Sequence, residues 1–298
     1  TLFRSANPHV IGEIYFRWMQ GEYRVSEIMD VWSLDFNRSS GWRTELHVRQ
    51  LADTDGDGRA DIVGFGGLSV LNAAAEDNLF GLGQTWFSGF TIGQGWRIDR
   101  HVREVADVNG DGMADIVAFD DNGVRVARST GTGFVETTRW SADFGYNDDW
   151  RTGTDVRELA DINGDGRADI VGFRDNQVVV SLSNGAGFDA ARTWMYGISF
   201  NKGGDPTRHL RTTGDINGDG RDDVVVFGEF RTWIATAADG RFNRNGGSAD
   251  FGYRDGWRLD RHERMVADVN GDGRDDLIGF GDDGVYVALS NGRSFGRV

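Results

Sequence analysis

Residues 107–120 read DVNGDGMADIVAFD: four aspartates and an asparagine crowd around two glycines, and an apolar Ile-Val-Ala-Phe run follows at once. Like charges at that density repel one another unless something holds them. Three arrangements would serve: a bound cation, a solvated acidic turn, or a catalytic carboxylate cluster. The stretch recurs as DTDGDGRADIVGFG from Asp53, DINGDGRADIVGFR from Asp161, DINGDGRDDVVVFG from Asp215 and DVNGDGRDDLIGFG from Asp268. Starts at 53, 107, 161, 215 and 268 lie 54, 54, 54 and 53 residues apart, a spacing that chance does not hold over five copies.

More than the acidic loop repeats. Six residues before its first Asp stand His47, His101, Asp155, His209 and His262; four before it stand Arg49, Arg103, Arg157, Arg211 and Arg264. Eleven before it come Trp42, Trp96, Trp150, Gly204 and Trp257. Earlier in the unit is an aromatic stretch, as in VWSLDF from Val31, TWFSGF from Thr85 and RWSADF from Arg139.

Each unit reads as four short strands. HVREVAD ends at the loop and ADIVAF leaves it; GVRVARS alternates, and WSADFG closes the unit. Helical periodicity is missing. Four short antiparallel strands in about 50 residues, repeated, predict an all-β propeller rather than a solenoid of shorter coils. The last unit stops after its third strand, and VWSLDF stands unpaired near the start. The expectation is therefore five blades over residues 28–298, closed by pairing the N- and C-terminal strands so that no sheet edge stays open. Residues 1–27 form an extension or, through HVIGEIYF and GEYRVS, degenerate strands of a sixth blade.

Composition bounds the function. The 298 residues include 39% hydrophobic and 12% aromatic side chains, enough for a core, with 44 glycines and only two prolines, as many tight turns require. No apolar run is long enough to cross a bilayer as a helix, and TLFRSANPHV lacks the charged-then-apolar pattern of a signal peptide. There are no cysteines. A net charge of −15 repels phosphate backbones, which argues against nucleic acid as a partner.

The repeats sharpen the reading of the loop. Positions 1, 3, 5 and 9 are Asp53, Asp55, Asp57 and Asp61; Asp107, Asn109, Asp111 and Asp115; Asp161, Asn163, Asp165 and Asp169; Asp215, Asn217, Asp219 and Asp223; Asp268, Asn270, Asp272 and Asp276. Four hard oxygen donors within nine residues, with glycine allowing a sharp turn, suit calcium. The helix-loop-helix calcium hand is excluded. It needs a glutamate at position 12, where this chain has Gly64, Ala118, Gly172, Val226 and Gly279. About five calcium ions are expected, which would move the charge from −15 to −5 (five times two is ten).

Units of the form DxNGDGxxDIxGF resemble the FG-GAP, or VCBS, calcium-loop repeats of integrin-α-like propellers. GWRLDRHERMVADVNGDGRDDLIGFGDDGVYVALSNGRSFG, residues 256–296, is similar to the repeat of the Psathyrella velutina lectin family. That resemblance implies a secreted or extracellular calcium-bearing propeller that binds sugars such as N-acetylglucosamine in shallow pockets between blades. Glycans or glycoproteins would be its partners. The family lectin has seven blades where five are counted here, and the unit around Asp215 carries NKGGDPTRH in place of the GWRxxxH pattern.

Sugar pockets need an aromatic face and a few polar groups. Trp42, Trp96, Trp150 and Trp257, with His47, His101 and His262, offer both. The competing reading is that the tryptophans repeat because blade packing repeats, and that the arginines brace the loops. No catalytic constellation breaks the repeat symmetry, so an enzyme is not expected. A protein-adhesion module, or the accessory propeller of a secreted polysaccharide-active enzyme, is the alternative. The pattern does not fix an oligomeric state.

Overall fold

The computed structural model describes residues 32–77, 79–174, 176–198, 205–248 and 250–296. The degenerate strands expected before residue 28, and Gly204, lie outside these residues. The chain is a five-bladed β-propeller. Blade 1 is β1 (Val48–Ala52), β2 (Asp61–Phe65), β3 (Val70–Ala73) and β6 (Gln84–Phe87), with a small hairpin of β4 (Ala75–Glu76) and β5 (Leu79–Phe80) between. Blade 2 comprises β7 (Val102–Ala106), β8 (Asp115–Asp120), β9 (Gly123–Ser129) and β10 (Phe134–Ser141). Blade 3 has β11 (Val156–Ala160), β12 (Asp169–Arg174), β13 (Gln177–Ser181) and β14 (Arg192–Tyr196). In blade 4 the strands are β15 (Leu210–Gly214), β16 (Asp223–Phe227), β17 (Thr232–Ala238) and β18 (Arg241–Ser248). Blade 5 holds β19 (Arg264–Ala267), β20 (Asp276–Phe280) and β21 (Val285–Ala288).

All pairings are antiparallel, and the strands read from the repeats fall on β7, β8, β9 and their counterparts. The expected fourth strand of blade 5 falls largely on residues outside those described, and Trp32 at its end contacts blade 1. The Trp32 carbonyl accepts from the Phe80 amide at 2.9 Å, and the two rings lie 5.8 Å apart. Trp140 meets Phe188 in the same way, through an amide at 3.2 Å and rings at 5.5 Å. Trp32 thus takes the place of an outer-strand tryptophan immediately before blade 1. Among the described residues, β21 pairs only with β20.

The core lies between blades, because each strand-2 run is apolar on both faces. Val117, Phe119, Val124 and Val126 of blade 2 pack against Ile170 and Val179 of blade 3, and Val225 and Phe227 of blade 4 against Leu277 and Ala288 of blade 5. Full burial of such a side chain is worth about 1.5–3 kcal/mol. The acidic loops link the same neighbours by backbone bonds. The amide of Ala114 donates to the carbonyl of Asp53, Ala168 to Asp107, Asp222 to Asp161 and Asp275 to Asp215, at 2.7–2.8 Å.

The innermost strands carry two carboxyls that report on pH. Burial lifts Glu104 to about 7 despite a hydrogen bond from Gln50 and the charge of Arg157. Burial, with Glu104 adding to it, lifts Glu158 to about 7 while Thr213 donates to it. A carboxyl raised by folding stabilises fully below its unfolded pKa, and that contribution is lost as pH climbs through the folded value. Thermal stability should therefore fall between roughly pH 5 and pH 7.5, by about 1–3 kcal/mol per group. Glu104→Gln should flatten that fall in a melting series. A wild-type melting temperature indifferent to pH over this range would contradict the assignment.

Candidate functional site

Four of the five units turn a corner on a phenylalanine held in the left-handed region; the fourth has Ile198 at that place. Phe36, Phe90, Phe144 and Phe251 have φ of 57°, 55°, 66° and 67°. A bulky side chain adopts this conformation only when its surroundings impose it. Here the ring is buried against the tryptophan that follows, at 5.0 Å for Phe36–Trp42, 5.0 Å for Phe90–Trp96, 4.9 Å for Phe144–Trp150 and 5.0 Å for Phe251–Trp257. The arginine of the next strand donates to that phenylalanine's carbonyl in each case, Arg49 at 2.6 Å and Arg103 at 3.2 Å being two of them. The tryptophans are thus wedges in the blade junction. Trp42, Trp96 and Trp150 are buried and Trp257 is half-buried.

The repeated histidine stands against its tryptophan, with rings 5.0 Å apart for Trp42–His47, 5.0 Å for Trp96–His101 and 5.4 Å for Trp257–His262. Its Nδ1 accepts the backbone amide four residues earlier: Arg43 to His47 at 2.9 Å, Arg97 to His101 at 3.2 Å, Arg258 to His262 at 3.1 Å. Asp155 accepts the equivalent amide of Arg151 through its carboxylate at 2.7 Å. Histidine and aspartate interchange here because either supplies an acceptor to the same turn. Accepting at Nδ1 leaves the neutral ring's proton on Nε2.

That Nε2 meets a carboxylate twenty residues on. His101 reaches Asp121 Oδ1 at 3.1 Å, His262 reaches Asp282 Oδ1 at 3.1 Å and His209 reaches Glu229 Oε2 at 3.4 Å. The arginine before each histidine joins it: Arg100 to Asp121 at 2.6 Å, Arg261 to Asp282 at 2.7 Å and Arg208 to Glu229 at 3.8 Å. Asp121 and Asp282 are held below the usual carboxylate range, Asp121 chiefly by the Arg100 hydrogen bond and Asp282 chiefly by that of His262. In unit 1 the corresponding residue is Gly67, so His47 has no such partner. Reading the sequence misses this carboxylate. The signal that would find it is the constant spacing of twenty after the histidine, inside the turn between strands 2 and 3.

At blade 5 these groups open onto a cavity of about 430 Å³ lined by Asp255, Trp257, His262, Asp282, Asp283 and Tyr286. The Tyr286 ring stands edge-on to Trp257 at 5.9 Å. Both contacts to Asp282 fall on Oδ1, so Oδ2 keeps its acceptor lone pairs. The cavity therefore combines aromatic faces with fixed carboxylate acceptors and an oriented histidine. Among the described residues, a second cavity of about 390 Å³ involves Arg192, Trp194 and Asp239 and has no histidine–carboxylate pair.

The acidic loops answer for their charge largely within themselves. Asp107 accepts the amides of Gly110 at 2.7 Å and Gly112 at 2.8 Å, and Asp161, Asp215 and Asp268 do the same for their glycines. Position 9 is fully buried and braces the end of strand 3: Asp61 accepts from Ala75, Asp115 from Ser129, Asp169 from Ser183, Asp223 from Ala237 and Asp276 from Ser290, at 2.7–2.8 Å. Burial raises Asp115 and Asp169 to about 7 and Asp223 to about 8. At position 5, Asp57 and Asp272 pair with Arg59 and Arg274 at 2.5 Å, and Asp165 pairs with Arg167. Asn109, Asn163, Asn217 and Asn270 donate to Asp111, Asp165, Asp219 and Asp272 at 2.9–3.1 Å.

The donor set of the first loop fits a hard divalent cation. Carboxylate oxygens of Asp53, Asp55 and Asp61 lie within 4.8 Å of one another. Burial and the charges of Asp61, Asp57 and Asp53 raise Asp55. Among the described residues no other group of three such ligands converges, since position 3 is asparagine in the remaining loops.

These features define a β-propeller of FG-GAP-like repeats, and the model of that repeat family matches residues 161–226. A lectin from Agrocybe aegerita, whose structure is described as recognising non-reducing terminal N-acetylglucosamine, is 38% identical with a TM-score of 0.78 over 88% of this chain and 68% of its own. The chain belongs to the Psathyrella velutina-type lectin family. Part of the Tc holotoxin pore of Photorhabdus luminescens shares the fold at 19% identity and a TM-score of 0.53, over 83% of this chain and 11% of that one. Among curated proteins none matches.

Proposed function

We propose that the protein is a non-catalytic, multivalent lectin for terminal N-acetylglucosamine-type sugars, working in an extracellular setting. The observation that carries this reading is the blade 5 cavity, where Trp257 and Tyr286 meet a carboxylate fixed by His262 and Arg261. Apolar faces suit the C–H surface of a pyranose, and preorganised acceptors suit its hydroxyls. The His101–Asp121–Arg100 and His209–Glu229–Arg208 groups repeat the polar half of that cavity, so further weak sites are expected at those junctions. Several weak sites on one rigid frame raise avidity through effective concentration. The Agrocybe aegerita lectin supports the choice of sugar. A glycan array separates this reading from a protein-adhesion module: binding confined to glycans ending in N-acetylglucosamine is expected, and a blank array would overturn it.

Calcium belongs to the same proposal. The five loops would hold it, Asp53, Asp55 and Asp61 first, and bound ions would screen their mutual repulsion. An ion that binds only the folded state stabilises it, by about 2.7 kcal/mol at a hundredfold excess over Kd. Chelator should therefore lower the melting temperature, and added calcium should restore it. An unchanged melting curve would remove calcium from the account.

A further inference from the structure

The blades are not equal at the turn that joins their third and fourth strands. In blades 2, 3 and 5 a serine there reaches back to the preceding blade. Ser129, Ser183 and Ser290 donate to the carbonyls of Thr54, Val108 and Ile216 at 2.5–2.7 Å. Two residues on stands a glycine in the left-handed region, Gly131, Gly185 or Gly292. Blade 4 has Ala237 and Asp239 in those places. Its loop arginine differs as well. Arg167 and Arg274 donate to the serine carbonyls of their own blades at 3.2 and 3.3 Å, and pair with Asp165 and Asp272. Arg221 pairs with Asp239 instead, at 3.0 Å. Blade 1 shares part of this pattern through Ala75 and Asp77, but there Arg59 keeps Asp57.

The departures of blade 4 meet at the cavity of about 390 Å³ between blades 3 and 4. Blade 3 contributes Asp189, Arg192 and Trp194 to its lining, with Val180 and Leu182, and blade 4 contributes Arg221 and Asp239. Trp194 is half-buried, where its counterpart Trp140 is 7% exposed. Among the described residues, Arg192 has no ion pair. In an antiparallel blade the acidic loop and the turn between strands 3 and 4 share one end, and the turn between strands 2 and 3 lies at the other. The cavity is therefore across the ring from the histidine–carboxylate groups and independent of what they bind.

We propose that this cavity binds a free α-amino acid with an apolar side chain. Each blade brings one cation and one anion to the lining, so a ligand of a single sign would meet like charge. An α-amino acid carries both signs. Its carboxylate suits the planar fork of Arg192, and its ammonium suits Asp189 and Asp239. Its side chain would lie against Trp194, Val180 and Leu182, the apolar part of the lining. Both ends of the ligand are used, so blocking either one should weaken it.

The test is isothermal titration with phenylalanine, with its N-acetyl form and with its carboxamide. Phenylalanine should bind saturably, and each blocked form about tenfold or more weakly. Arg192→Ala and Asp239→Ala, both at exposed positions, should each weaken phenylalanine by about tenfold and leave the melting temperature unchanged. Saturating N-acetylglucosamine should not displace it, and its binding should persist even if the sugar does not bind at all. Three results would overturn the proposal: no binding at tens of millimolar phenylalanine, blocked forms that bind as well as the free amino acid, or both variants binding as wild type. Displacement of phenylalanine by N-acetylglucosamine would also overturn it, by placing the amino acid in the blade 5 cavity.

Discussion

Replacing Trp150 with alanine is expected to cost about 3–5 kcal/mol of folding stability, the range found for emptying a large aromatic site in a core. Its indole is 2% exposed and fills the space between Phe144 and β12. The fit is close enough to dictate a neighbour: a Cβ at Gly172 would stand 2.3 Å from the Trp150 ring. Phe144 is held at φ 66° by the same packing, so removing the wedge also releases a conformation a phenylalanine otherwise avoids. A fall in melting temperature of roughly 5–15 °C should follow. Gly172→Ala should destabilise from the opposite side, by overpacking. If the Trp150→Ala protein melts with wild type, the junction does not rest on the tryptophan.

Asp282→Ala is expected to do the reverse, weakening the blade 5 site about 10–100-fold while leaving the fold intact. Hydrogen bonds to a charged group are worth about 1.5–3 kcal/mol, which sets that range. Asp282 is more than half exposed, and its partners His262 and Arg261 keep other contacts or solvent when it is lost. The melting temperature should hardly move. His262→Ala is a less clean probe, because it removes the acceptor of the Arg258 amide as well as the group that orients the carboxylate. A variant at Asp282 that binds as wild type would take the carboxylate out of the site.

The period of the repeat, the strands around each loop and the propeller were legible because local pattern and fold repeat together. The meaning of the tryptophans was not. An aromatic at a fixed place suits a core wedge and a sugar platform equally, and only burial separates them. Aspartate in place of histidine at position 155 likewise reveals its role only in the structure, as the acceptor for one backbone amide. Asp121, Glu229 and Asp282 escaped notice because they stand in turns where acidic residues are common. VWSLDF reads as an outer strand, and its Trp32 stands against Phe80 as the outer-strand Trp140 stands against Phe188.

The account's central claim is that a sugar binds at the junction groups built on histidine, carboxylate and arginine. Isothermal titration of wild type and of Asp282→Ala with N-acetylglucosamine tests it most directly. A saturable isotherm with more than one site in wild type is expected, with one site lost or weakened at least about tenfold in the variant. Two superimposable isotherms, or no binding to wild type at millimolar sugar, would contradict it.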